Sequence, residues 1–200
     1  MFVVDDDDSV RRALARRLRA AGYAAQAFAS AKEFLERAPA DAVACVVTDL
    51  RMPGMSGLDL HAALAAAGRD WPTVFVSGHG DVATSVNAMR SGAVHFLTKP
   101  VSERDLLAAV AEALAISAHR ALERSAAARV RDCYAALTSR EREVFALVVE
   151  GLMNKVIAER IGAAEKTVKI HRARVMAKMG ARSLADLVRM AARLPPPPGV

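Results

Sequence analysis

The sequence is poor in cysteine and has no long apolar run. Its two cysteines, Cys45 and Cys133, do not make the disulfide framework of a small secreted fold. A membrane-spanning helix needs about 20 consecutive apolar residues, and no stretch of this chain approaches that length. The N-terminus also lacks the basic and then apolar pattern of a signal peptide. We therefore expect a cytoplasmic protein with free thiols and no membrane segment.

Charge is distributed unevenly along the chain. Residues 1–117 contain 12 Lys and Arg against 14 Asp and Glu, a net charge of −2. Residues 118–200 contain 16 against 8, a net charge of +8, and the two parts together give the overall +6. This asymmetry predicts that only the C-terminal part contacts a polyanion, with a generally basic surface as the alternative. A length of 200 residues is typical of two domains of about 100 residues each.

The N-terminal part alternates short apolar runs with helical patterns. The runs predict strands over residues 2–4, 23–28, 42–48, 73–77 and 94–98. The patterns between and after them predict helices over residues 10–21, 31–37, 58–67, 82–91 and 103–115. Ser30 and Glu33 form a predicted capping box, and Gly22 is a typical C-terminal glycine. Strands that alternate with crossover helices predict an α/β fold with a parallel sheet covered on both faces.

Residues with chemically useful side chains follow four of the predicted strands. They are Asp5 to Asp8, Asp49, Ser77 and Lys99. Ligands of such sheets bind beyond the carboxyl ends of the strands. Carboxylates from two strand ends repel one another unless a cation lies among them, and Mg²⁺ suits such oxygen ligands. A lysine and a hydroxyl add donors for a phosphoryl group on Asp49. Asp7 and Asp8 are better interpreted as acids that stabilise the N-terminus of the first helix.

These segments resemble the receiver domain of two-component response regulators. The resemblance rests on four motifs: FVVDDD at 2–7, VVTDLRMPGMSG at 46–57, VFVSGHG at 74–80 and FLTKP at 96–100. It implies a flavodoxin-like (βα)5 fold with sheet order 2-1-3-4-5, and a cis bond between Lys99 and Pro100. The first strand begins unusually close to Met1 for this family. Either this strand is short, or translation starts upstream.

The resemblance also implies a role for each residue of the site. Asp49 would be the phosphoacceptor. Mg²⁺ would be held by the side chains of Asp5, Asp6 and Asp49 and by the backbone carbonyl of Arg51. Ser77 and Lys99 would bind the phosphoryl oxygens, and Phe96 would be the aromatic residue that turns inward when the domain switches.

The C-terminal part predicts a helix-turn-helix. Residues 117–136 contain no Gly or Pro and are expected to continue the last receiver helix as a linker. Thr138 and Glu141 form a capping box that begins the next helix, and Gly151 ends it. Further helices are predicted over residues 155–161, 165–179 and 183–193, with a Gly-containing turn at 162–164. Four short helices with such a turn are typical of a helix-turn-helix.

The predicted helix over 165–179 has two contrasting faces. At about 100° per residue, one face is an apolar stripe of Val168, Val175 and Met179. The opposite face mixes basic, small and apolar side chains, namely Lys166, Lys169, Ile170 and Ala173. Such a mixture suits the major groove of DNA, and Arg172 and Arg174 flank it within reach of phosphates. A basic helix packed in a bundle is the alternative.

The same region resembles the LuxR-type helix-turn-helix. The resemblance rests on LTSREREV at 137–144, NKVIA at 154–158 and KTVKIHR at 166–172. It adds Lys155 and Thr167 to the expected DNA contacts. Combined with the receiver it is similar to the NarL/FixJ class, and residues 171–179 favour the FixJ branch. The expected domains are a receiver over 1–116, a helical linker over 117–136, a DNA-binding domain over 137–194 and a proline-rich tail over 195–200.

The two resemblances imply a transcription factor that catalyses only the phosphorylation and dephosphorylation of its own receiver. A sensor histidine kinase would phosphorylate Asp49, and the protein would then dimerise on promoter DNA and activate transcription with RNA polymerase. A DNA-binding regulator with a degenerate receiver, independent of phosphorylation, is the main alternative. An aspartyl-phosphate hydrolase with its nucleophile among residues 5–9 is a further alternative, but it leaves Asp49, Lys99 and the C-terminal part unexplained.

Overall fold

The computed structural model describes residues 1–39, 43–78, 86 and 88–195. Two compact units make up the chain, Met1–Ala121 and Leu122–Val200. Of the helix predicted over residues 82–91, residues 86 and 88–91 are described; 86 and 88–90 are helical, and residue 91 lies in a turn. Residues 82–85 and 87 of that helix, the end of the third receiver motif (79–80) and residues 196–200 of the predicted tail lie outside the described residues.

The first unit is built on a five-stranded parallel sheet. Its strands are β1 (Phe2–Val4), β2 (Gln26–Phe28), β3 (Val46–Asp49), β4 (Thr73–Ser77) and β5 (His95–Thr98). Their order is β2-β1-β3-β4-β5, which confirms the predicted topology. The strands predicted over 23–28 and 42–48 begin later than expected, because residues 23–25 and 43–45 do not pair in the ladders; residue 42 lies outside the described residues.

Helices connect and follow these strands. They are α1 (Asp8–Ala20), α2 (Ala31–Arg37), α3 (Gly57–Ala66) and α4 (Glu103–Ala135). The helix predicted over residues 103–115 is longer than expected, since α4 runs without interruption from Glu103 to Ala135. The predicted capping box of α2 forms only in part. Ser30 accepts from the Glu33 amide, but the Glu33 carboxylate accepts from the Ala29 amide instead of that of Ser30.

Apolar side chains from both faces of the sheet form the core of this unit. Val3, Val47 and Val76 pack in one cluster with α1 and α4. Phe2, Val4 and Val46, which alternate with them along the strands, pack in a second cluster on the opposite face. Cys45 is fully buried, and burial raises the pKa of its thiol to about 11. This cysteine is therefore a protonated core residue at neutral pH.

The second unit is helical. After α4 it contains α5 (Ser139–Val149), α6 (Asn154–Arg160), α7 (Glu165–Met179) and α8 (Leu184–Ala191). The capping box of Thr138 and Glu141 is present, and Gly162 has a φ of +62° in the turn that precedes α7. One apolar cluster holds these helices together. Within the described part of the chain, no helix has the length and apolarity needed to cross a membrane.

Candidate functional site

Four parallel strands bring their carboxyl ends to one edge of the sheet. β3 ends at Asp49 and β4 at Ser77, while Asp5 and Lys99 directly follow β1 and β5. The ladder pairs Asp49 with Val76 and Ser77 with Thr98, so these ends are at matching levels. Residues far apart in sequence are therefore neighbours, as the positions after each strand predicted.

Three carboxyl groups at this edge lie close together. Asp5, Asp6 and Asp49 each offer one oxygen, and these oxygens lie within 4.8 Å of one another. Asp5 is completely buried and Asp49 is 9 % exposed, whereas Asp6 is exposed. Several carboxylates with one open side fit a hard divalent cation that keeps some of its water, as Mg²⁺ does. The residues present thus fit Mg²⁺.

Lys99 reaches this acidic group from the end of β5. Its Nζ lies 2.8 Å from Asp5 Oδ2 and 3.4 Å from Asp49 Oδ1. Burial raises the pKa of the Asp49 carboxyl, an effect that the charge of Lys99 opposes and that of Asp5 reinforces. Burial alone would lower the pKa of Lys99, but the hydrogen bond to Asp5 and the charges of Asp5 and Asp49 raise it above its ordinary value. Lys99 therefore supplies a permanent positive charge.

Asp7 and Asp8 have structural roles, as the helix-terminus interpretation predicted. Asp7 is the N-cap of α1, and its Oδ1 accepts from the amides of Ser9 and Val10 at 2.8 and 3.1 Å. These bonds hold the pKa of Asp7 below its ordinary value. Asp8 forms ion pairs with Arg11 and Arg12. Neither residue belongs to the three-carboxylate group.

The other receiver residues named from the sequence lie around the same edge. Ser77 is buried at the end of β4. Phe96 is partly buried and packs on a cluster that contains Leu50 and Phe75. Arg51 is exposed in the loop after β3. The peptide bond before Pro100 is cis, as expected.

Two residues near the site were not found from the sequence. Gly57 begins α3 so close to β3 that a Cβ there would lie 2.3 Å from the Asp49 carbonyl oxygen. Arg11, in the first turns of α1, donates to the carbonyl oxygens of Asp5 and Asp6. In a sequence, a basic residue one turn after the start of a helix that follows an acidic run is only a weak signal for such a contact. The contact depends on the path of the loop between β1 and α1, which the sequence does not show.

In the second unit, α7 presents the two faces predicted for it. Val168, Val175 and Met179 are buried in the core. The residues expected to contact DNA are exposed apart from the partly buried Arg172; the exposed ones are Lys155, Lys166, Thr167, Lys169, Ile170, Ala173 and Arg174. Ile170 is 46 % exposed, an unusual position for a large apolar side chain on a face that is otherwise basic. Such a face suits the thymine methyls and phosphates of a DNA groove.

Two basic residues of α7 bond to other elements of the second unit, whereas Lys169 pairs with Glu165 within the helix. Arg172 donates to the side-chain oxygen of Asn154 at 3.1 Å, which ties α7 to the start of α6. Lys178 donates to the buried carboxylate of Glu141 at 2.6 Å and to the carbonyl of Ala136. Its hydrogen bond, together with the amide of Thr138, lowers the pKa of Glu141 to about 2. These bonds fix the angle at which α7 is held by the neighbouring helices.

Family models match both units. Residues 1–111 match the response regulator receiver domain, and residues 135–191 match the LuxR family of bacterial regulatory proteins. Both families are regulatory modules. The parallel sheet with its acidic edge and the helix-turn-helix indicate the same class of protein.

Similar proteins contain both modules in one chain. Nodulation protein W of Bradyrhizobium diazoefficiens is 45 % identical over 97 % of this chain and 86 % of its own length. The transcriptional regulatory protein FixJ of Azorhizobium caulinodans is 44 % identical over 96 % of this chain and 90 % of its own. The solved structure of the response regulator StyR is 44 % identical, covers 96 % of this chain and 98 % of its own, and has a TM-score of 0.84. This chain belongs to the two-component response regulators of the NarL/FixJ class, and its relatives favour the FixJ branch.

Proposed function

We propose that Asp49 accepts a phosphoryl group from a sensor histidine kinase and that this step controls DNA binding by the second unit. The observation that carries the proposal is the contact of Lys99 with both Asp5 and Asp49 at the edge where three carboxylates meet. A fixed cation and an open carboxylate group are what a transferred phosphoryl group requires for positioning and for neutralisation of its charge.

In the transfer, a carboxylate oxygen of Asp49 forms a bond to phosphorus while the bond from phosphorus to the donor nitrogen breaks. The donor imidazole leaves with its electron pair, and Asp49 becomes an acyl phosphate. The Lys99 ammonium stabilises negative charge on the phosphoryl oxygens, and the Ser77 hydroxyl donates to one of them. Asp5, Asp6, Asp49 and the carbonyl of Arg51 would hold Mg²⁺, which neutralises the charge on the phosphoryl oxygens when bound.

The change in DNA binding is a shift between two populations of the receiver. Phosphorylation favours the state in which Ser77 and Phe96 are turned toward the phosphoryl group, and this state dimerises. A shift from 1:99 to 99:1 requires about 5.5 kcal/mol of preference. When one DNA-binding unit of the dimer is bound to promoter DNA, the linked second unit is present at a high effective concentration at the paired half-site. The dimer therefore binds more tightly than a single unit. The dimer activates transcription with RNA polymerase in the cytoplasm, where both thiols stay free.

Intact mass after incubation with acetyl phosphate and Mg²⁺ tests the phosphoacceptor. The wild type should gain one phosphoryl group, and Asp49→Asn should gain none. Asp105→Asn, which changes an exposed aspartate at the start of α4, should behave as the wild type. A gain by Asp49→Asn would mean that another aspartate is the acceptor. If the wild type gains none even from its own kinase, the regulator works without phosphorylation.

Beryllofluoride, which mimics a phosphoryl group on aspartate, tests the second half of the proposal. It should shift the wild type toward a dimer and tighten its binding to promoter DNA, and Asp49→Asn should not respond. Unchanged oligomeric state and DNA affinity in the wild type would contradict the switch, even if Asp49 is phosphorylated.

A further inference from the structure

Arg11 holds the loop that connects β1 to α1. Its Nη1 donates to the carbonyl oxygens of Asp5 at 2.7 Å and Asp6 at 3.3 Å, and its Nη2 donates to Asp8 Oδ1 at 2.6 Å. The side chain is 15 % exposed, whereas that of its neighbour Arg12 is 77 % exposed. The guanidinium thus binds two carbonyl oxygens of one short loop and the carboxylate of Asp8, the first residue of α1, and its planar fork suits several acceptors at once.

This loop carries two of the three carboxylates of the acidic group. The Asp5 side chain is already held on both oxygens, by the Asp7 amide at 2.9 Å and by Lys99 at 2.8 Å. Asp6 is exposed, and its link to α1 is the Arg11 bond to its carbonyl oxygen. Four consecutive aspartates repel one another, so the loop tends to spread unless it is tied down. Arg11 is in position to counteract that repulsion.

The charge of Arg11 also has an effect of the opposite sign, because a nearby cation repels a divalent metal ion. Asp8 lies against the guanidinium at 2.6 Å and offsets much of this charge. If Arg11 is removed, Asp8 keeps a partner, since Arg12 also pairs with it. The loss of Arg11 therefore has two opposing effects: it removes one positive charge, which by itself favours a bound cation, and it removes the hydrogen bonds that order the loop, which disfavours one. We expect the loss of order to dominate.

We infer that Arg11 is a positioning residue that holds Asp5 and Asp6 in place for a divalent cation. The inference rests on the proposed function, because it assigns a residue to the support of the same metal site. Groups that orient metal ligands without touching the metal commonly contribute about 10- to 100-fold to metal affinity. Since Asp5 has other anchors, the lower end of that range applies, and we expect about 10-fold.

Binding of Mn²⁺ to the full chain, followed by electron paramagnetic resonance, tests the inference directly. Arg11→Ala should raise the dissociation constant about 10-fold. Arg11→Lys keeps the charge but replaces the planar fork with a single ammonium, so its affinity should lie between those of Arg11→Ala and the wild type. Arg12→Ala is the matched control, because it removes the same charge from the next residue, and it should bind as the wild type does.

Phosphorylation by acetyl phosphate gives a second readout. In Arg11→Ala, half-maximal rate should require more Mg²⁺, while the rate at saturating Mg²⁺ stays close to that of the wild type, since Arg11 does not contact Asp49. Trp71 fluorescence during urea unfolding shows whether the variant is folded. If Arg11→Ala does not fold, Arg11→Lys is compared with the wild type in its place.

The outcomes separate this inference from the proposed function. If Arg11→Ala binds Mn²⁺ as tightly as the wild type does, or more tightly, charge repulsion by Arg11 dominates. This result would overturn the inference but not the proposed function. An equal loss in Arg12→Ala would also overturn it. No Mn²⁺ binding by the wild type would overturn the proposed metal site and this inference with it.

Discussion

Replacement of Gly57 by alanine tests how tightly α3 is joined to the strand that ends at Asp49. Gly57 is the first residue of α3, and its amide donates to the Leu50 carbonyl at 3.0 Å. A Cβ at this position would lie 2.3 Å from the carbonyl oxygen of Asp49 and 3.1 Å from Cε1 of Phe75. The first pair must separate by about 0.7 Å to reach 3.0 Å, below which Cβ contacts are essentially never found.

The magnitude follows from two opposing effects. Overpacking of this kind costs about 1–3 kcal/mol, and the upper end applies because the obstructing atom is backbone in a paired strand. Alanine gains up to about 1 kcal/mol over glycine in a helix. We therefore expect Gly57→Ala to lower the free energy of unfolding of the first unit by about 2 kcal/mol. The displaced Asp49 backbone should also slow phosphorylation.

Trp71 makes the assay specific to the first unit. It is the single tryptophan of the chain, it is 4 % exposed, and its ring packs 5.1 Å from that of Phe2. With a slope of about 1–3 kcal/mol per molar urea, the fluorescence midpoint should fall by about 1 M. Gly78→Ala is the control, because nothing lies within 4 Å of a Cβ there. A Gly57→Ala midpoint equal to or above that of the wild type would refute the reasoning.

Two further predictions concern the second unit. Because the pKa of Glu141 is lowered from 4.5 to about 2, its carboxylate stabilises the fold above pH 4.5, and this contribution is lost as the pH falls toward 2. The difference in unfolding free energy between the wild type and Glu141→Gln, followed by circular dichroism, should therefore shrink over that range; a constant difference would contradict the ion pair with Lys178. Lys166→Ala and Lys169→Ala should each weaken binding to promoter DNA and reduce the slope of log Kd against log salt by about 1. Lys32→Ala, which changes an exposed lysine of α2, should leave that slope unchanged. Wild-type slopes in Lys166→Ala and Lys169→Ala would exclude phosphate contacts by these two lysines.

The contacts of α7 divide its basic residues into two groups. Arg172 and Lys178 are bonded to α6 and to the start of α5, respectively, whereas Lys166 and Arg174 are exposed. A helix that reads DNA must be held at a defined angle, because a small rotation moves its side chains away from the base edges. Some of the positive charge along the helix therefore holds it in place, and the exposed remainder is what we predict to contact DNA. Sequence alone does not separate these uses.

The sequence by itself determined the α/β and helical architecture of the two parts and predicted which residues meet at one edge of the sheet. Apolar periodicity, capping residues and glycines are local signals, and they predicted the succession of strands and helices along the chain; the order of the strands in the sheet came from the resemblance to receiver domains. The parallel sheet then required that residues after different strands meet at one edge, so Asp5, Asp49, Ser77 and Lys99 could be grouped in advance. The two faces of α7 followed from helical geometry in the same way.

Tertiary structure alone decided which of these residues touch and what the others do. Lys99 lies closer to Asp5 than to Asp49, Arg11 turns back onto the loop before α1, and Gly57 approaches the Asp49 carbonyl. Arg172, which sequence reasoning assigned to phosphate contact, donates to Asn154. Each of these facts depends on the separation and angle of two elements after they have packed. Such distances arise from the whole core, and no local pattern of residues encodes them.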